Sequence, residues 1–215
     1  MKKEEIFWNW FRENEKAYHF YDQIPESPQK DEITLALGRK LHEYCNHLYF
    51  AFIQNFYKPD KELFIITAHY HKEYFEQASK LIEYAPRDLS HWIFEALLPP
   101  ALQYTEHYTI AFEDIKLDPQ EIWFRPMVNN LHPSQLGILL LIKDFEFYEN
   151  HEDIGPAVER LLLTELGELS FSLHIHYLDI AQLPPDPEKI GCLKLRELSN
   201  IIKWHLNQQT QLSNN

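Results

Sequence analysis

Apolar residues first recur at helical spacing near the start of the chain. Ile6, Phe7, Trp10 and Phe11 share a face, with Glu13 and Glu15 off it, which predicts a short amphipathic helix. The segment IPESPQK (24–30) breaks it. From Asp31 onward, Ile33, Leu37, Leu41, Tyr44 and Leu48 predict a second helix that starts after the Pro28 breaker, with acidic residues in its first turn as the helix dipole favours. Residues 1–47 thus form a helical layer expected to cover a sheet. In this layer Trp8 lies off the line joining Phe7 and Phe11. Its ring is either exposed, as an anchor for another surface, or packed by a helix buried on two sides.

After residue 47 the period changes. LYFAFIQNF (48–56) and ELFIITA (62–68) flank the turn YKPDK and read as a hairpin, the second strand apolar on both faces and therefore central. HKEYFEQASKLIEYA (71–85) places Tyr74, Phe75, Ala78, Leu81 and Ile82 on one helical side, and Pro86 stops it. SHWIFEALL (90–98) returns to strand composition. A strand is expected at HYTIAFEDI (107–115), and then a similar order recurs: EIWFRPM (121–127) as strand, LGILLLIKDF (136–145) as buried strand, a helix from Gly155-Pro156 to Leu166 capped by Gly167, and LSFSLHIHYL (169–178) as a last strand. A helix at 192–206 follows, and QQTQLSNN is a polar tail expected to fray. The fold class is α+β, mainly antiparallel sheet with helices packed on it. A pseudo-repeat of strand-strand-helix-strand, ferredoxin-like in its halves, spans 48–98 and 107–178 within one body.

Composition narrows the function. With 215 residues, 45% of them hydrophobic, five Trp and twelve Tyr, the chain has material for a firm core. A formal charge of −13, with no stripe of Lys and Arg, disfavours direct nucleic-acid binding and favours a partner with a basic surface. The opening MKKEEIFWNWF carries acids where a signal peptide needs an apolar run. The longest apolar stretch, Ile138 to Ile142, is far short of the ~20 residues that cross a bilayer. The expectation is a cytoplasmic protein with no membrane contact. Cys45 and Cys192 have no metal-type or disulfide-framework spacing.

Candidate chemistry centres on histidine. If 169–178 is a strand, His174 and His176 share its polar face with Ser170 and Ser172. That alternation explains both imidazoles without a ligand, so no bound metal is expected. His69 and His71 sit where a central strand gives way to a helix, a common place for sites. Were the two pairs brought together, four imidazoles could hold a cation, with Glu168 as a base. Glu165 and Glu168 also form a candidate carboxylate pair, read as structural. The acidic stretch DFEFYENHED (144–153) lacks the glycine and spacing of a calcium loop and reads as a solvated loop. No GxSxG, HExxH or glycine-rich phosphate loop is present, and no cofactor is expected.

The residues FWNWF (7–11), ELFIITA (62–68), Ala85-Pro86 followed by Trp92, and LGE (166–168) together resemble a family of uncharacterised bacterial proteins, over the span from the first helix to about Leu178. That family has no assigned activity to carry over. In element order and acidity the chain is also similar to the ferredoxin-like ribonuclease E regulator B group, which implies action by binding an enzyme. Three readings follow: a non-catalytic binding or regulatory domain, the first choice; a metal-assisted hydrolase using His69, His71, His174 and His176; and a homo-oligomeric structural protein.

Overall fold

A computed structural model describes residues 1–129 and 131–213. The chain is α+β, and it divides into two units, Met1–Glu106 and His107–Asn215.

In the first unit, α1 (Lys3–Asn14) buries Phe7, Trp8 and Phe11. The buried stripe is therefore rotated from the one the spacing predicts: Ile6 is exposed, Trp10 half-buried, and Trp8 fully packed. The reason is that α1 is covered on two sides. Phe11 stacks on Phe64 of the sheet at 4.7 Å, while the Trp8 indole donates to the Leu81 carbonyl of a neighbouring helix at 2.6 Å. The bulky exposed tryptophan of the chain is Trp204 instead.

Helix α2 spans Pro28–Tyr44. Pro28 does not precede this helix as a breaker but begins it, at a position where a missing N–H costs nothing. Ser27 is the N-cap, its hydroxyl accepting from the Lys30 amide at 3.2 Å. Leu37 and Leu41 are fully buried on its inner face.

Strands β1 (Tyr49–Gln54), β2 (Glu62–Thr67) and β3 (Trp92–Ala96) form a sheet of order β1-β2-β3. The β1–β2 pair is the expected hairpin, antiparallel with Tyr49 opposite Thr67. Strand β3 runs parallel to β2, with Glu62 opposite Trp92. Every residue of β2 is buried, as its two-sided apolar composition requires. The connection from β2 to β3 is a 3-10 turn and then α3 (Phe75–Glu83), shorter than the predicted helix. All three helices contribute to the core that holds Phe52, Phe64, Ile66 and Trp92.

The second unit begins with a small hairpin, β4 (Ile110–Phe112) and β5 (Ile115–Leu117). The single strand expected over 107–115 is split because Glu113 adopts φ +49°, which turns the chain back on itself. Strands β6 (Trp123–Val128), β7 (Leu136–Ile142), β8 (Ile175–Gln182) and β9 (Leu193–Lys194) make a mixed sheet of order β8-β7-β6-β9. Again a hairpin (β6–β7) is followed by a helical connection to a parallel neighbour, β8. One face of β7 packs with α4 (Ile154–Leu166) and α6 (Leu198–Ser213) into the second core, where Ile138, Leu140, Val158, Leu161, Leu162 and Leu198 are completely buried.

The segment 169–178 differs most from expectation. It is not one strand: α5 (Glu168–His174) occupies its first half and β8 starts at Ile175. Gly167, at φ +76° and ψ 160°, ends α4 and lets a new helix start at once, with the Phe171 amide donating to the Gly167 carbonyl at 3.0 Å. The inward residues are Glu168, Phe171, Ser172 and Ile175, a helical spacing hidden inside an alternating sequence, while Leu169 and Leu173 are exposed. The C-terminal helix is also displaced: Cys192 lies in a loop before β9, and α6 begins at Leu198 and continues to Ser213. The QQTQLS part of the expected frayed tail is therefore helical, and Asn214 and Asn215 lie outside the described residues.

Candidate functional site

The α5–β8 junction places His174 at the last turn of a helix and His176 one residue into a strand, so the two imidazoles do not share a sheet face. They nonetheless line one small cavity of about 200 Å³, together with Leu173, Ser134, Leu136, Ile202, His205, Leu206 and Gln209. His205, which the sequence reading missed, is the buried member of the three. The Gln209 amide donates to the Ser134 carbonyl at 2.9 Å and lies 2.7 Å from His205 Nε2, which is itself 3.4 Å from the same carbonyl. On His176 the ring Nδ1 donates to the His174 carbonyl at 3.1 Å. Two leucines of the lining are exposed, Leu173 at 41% and Leu206 at 36%, and Leu169, one turn before Leu173 on α5, is 51% exposed. Such a surface can seat an apolar side chain and offer imidazole nitrogens to a polar one.

His69 and His71 belong to the other unit. His69 and Tyr70 both take positive φ (47° and 59°), a costly pair of left-handed residues that turns the chain out of β2. The turn is held by the Thr67 hydroxyl, which accepts from the His69 amide at 3.1 Å. The His69 ring stacks on Tyr49 at 4.0 Å, nearly parallel, and His71 is exposed, with Glu73 at 3.7 Å. Glu168 is completely buried at the start of α5, and Glu165 accepts a hydrogen bond from the Tyr108 hydroxyl. Among the described residues no three His, Cys, Asp or Glu side chains are placed to hold a metal ion. The carboxylates of 144–153 are spread outward: Asp144, Glu146, Glu149 and Glu152 are exposed, and His151 pairs with Asp114 at 3.0 Å.

A second titratable cluster had no signal in the sequence. Glu62 opens β2, is 2% exposed, and accepts from the Phe20 and Tyr21 amides and from His91 Nε2 at 2.6 Å. Glu15, in the 3-10 turn after α1, accepts from the Trp92 indole at 2.9 Å and from His19. The His19 and His91 rings stack at 4.0 Å. Burial of Glu15 opposes its charge, but the Trp92 and His19 hydrogen bonds outweigh it and hold the carboxyl below its ordinary pKa. Asp22 is pushed the other way, by burial and then by the charge on Glu62. Three side chains from distant parts of the chain, Glu62, His91 and Trp92, thus fasten residues 15–21 to the base of the sheet. Both oxygens of Glu62 and the Oε2 of Glu15 are matched to donors within the fold, so the cluster reads as a structural staple.

No family model, curated protein or solved structure matches this chain. No described helix is long and apolar enough to cross a membrane.

Proposed function

We propose that the protein is a non-catalytic binding or regulatory module that docks a protein partner with a basic surface. The observation that carries this reading is the pair of exposed leucines, Leu173 and Leu206, that line the cavity with His174, His176 and His205, joined by exposed Leu169 one turn earlier on α5. Apolar side chains grouped around a recess are the form a binding anchor takes, whereas singly scattered ones need no explanation. The net charge of −13 would speed encounter with a cationic partner and add salt sensitivity. An acidic module that acts by binding an enzyme is also what the similarity to the ribonuclease E regulator B group implies.

The experiment is affinity capture from lysate with the full chain and with a Leu173→Asp/Leu206→Asp variant, followed by identification of the captured protein and reconstitution from purified components. A partner that binds the native chain, binds at least tenfold more weakly to the variant, and weakens further at high salt supports the reading. Turnover of a substrate by the purified protein would count against it. The hydrolase reading finds no ligand set in the geometry described above.

A further inference from the structure

A groove of about 310 Å³ lies in the first unit between α2 and β1, the edge strand of its sheet. Leu41, Leu48 and Phe50 form its inner wall, and Leu35 and Tyr49, 60% and 41% exposed, stand at the rim. The ionisable side chains that line it are Arg39 and His42; no carboxylate does. Lys40, next along the helix, is matched by Glu43 at 2.6 Å, while Arg39 forms no ion pair with any described residue.

Gly38 bounds the same groove from the middle of α2. A mid-helix glycine is less stable than alanine, so a packing reason is the first one to look for. None is present: its φ is an ordinary helical one, and an added Cβ would meet only the Phe50 ring, at 3.9 Å, an ordinary contact. A side chain larger than a methyl at this position would project into the groove that Gly38 lines.

We propose that this groove binds a small amphiphilic carboxylate, with its hydrocarbon part against Leu41, Leu48 and Phe50 and its carboxylate on the Arg39 guanidinium. The volume falls at the lower end of the range for small-ligand sites, roughly 300–1,000 Å³, and is too small for a packed helix. The apolar wall with a single unmatched cation at the rim selects an anion with an apolar body over a neutral or cationic one. This site is on a different unit from the exposed leucines of α5 and α6 and stands or falls separately from the partner-docking reading.

Isothermal titration calorimetry of the full chain with decanoate and with decanol tests it. The expected result is one saturable decanoate site per chain, with decanol at least tenfold weaker. Arg39→Gln should weaken decanoate about tenfold and leave decanol unchanged. Gly38→Leu should abolish both, and Gly38→Ala, which the helix favours, should raise the melting temperature while weakening decanoate. No saturable decanoate heat, or Arg39→Gln and Gly38→Ala variants that bind like the native chain, would overturn the proposal. So would preference for a peptide ending in an apolar residue and free carboxylate over decanoate, which would make the occupant a protein terminus.

Discussion

Two carboxylates illustrate how much a single residue can hold. Glu62 secures the chain crossing at Phe20 and Tyr21, and Glu15 receives the indole of Trp92. Because Glu15 is held below its ordinary pKa in the folded state, the stability it contributes is complete above the carboxylate range and is lost as pH falls through its folded value. Thermal melts between about pH 6 and pH 3 should therefore show a falling melting temperature, and Glu15→Gln should flatten that acid limb while lowering the neutral-pH plateau. Asp22, shifted upward by burial and then by the charge on Glu62, works in the opposite sense and offsets part of that slope. None of this was legible in the letters. Glu15 and Trp92 are 77 residues apart, Glu62 and His91 29 apart, and no local spacing marks such partners. His174 and His176 could be picked out because they lie two residues apart. His205, which shares their cavity, could not, since it comes from the helix that starts at Leu198.

At the scale of the element, the fully apolar runs of β2 and β7 announced central strands, and both are central. The α4 terminus was equally legible from Gly167. What followed was not, because the string from Leu169 to Tyr177 satisfies a period of two while its buried members also satisfy 3.6. The decision rests on Gly167, whose φ +76° and ψ 160° lie in a region that residues with a Cβ scarcely enter. Gly167→Ala should cost about 1–3 kcal/mol, read as a drop in urea midpoint at unchanged slope. The same substitution should disturb the His174–His176–His205 cavity, visible as shifts of imidazole resonances, because α5 is the arm that positions it. An alanine variant as stable as the native chain would mean the α4–α5 break is set elsewhere.

At the scale of the molecule, each unit carries its own buried cluster: Phe7, Trp8, Phe11, Phe64 and Leu81 in one, Phe124, Ile138, Leu140, Leu161 and Leu198 in the other. Each also joins a hairpin through a helical connection to a parallel strand. Residues 1–106, expressed alone, should accordingly fold, giving a cooperative melt and the near-UV dichroism of packed aromatic rings. A non-cooperative, dye-binding product would show that this half depends on the rest of the chain for its structure. The alternation of strand and helix signals was readable at this scale because it depends on order along the chain. The parallel placement of β3 and β8 depends on where each crossover helix lands.

The order of synthesis treats the two central strands unequally. When Glu62–Thr67 leaves the ribosome, two of its covering helices, Lys3–Asn14 and Pro28–Tyr44, have already emerged. When Leu136–Ile142 leaves, Ile154–Leu166 and Leu198–Ser213 are still to be made. Seven uncharged, proline-free and almost wholly apolar residues left uncovered are a segment that associates readily between chains. The nascent protein is thus guarded in its first half and exposed in its second, and that is where chaperones are most needed.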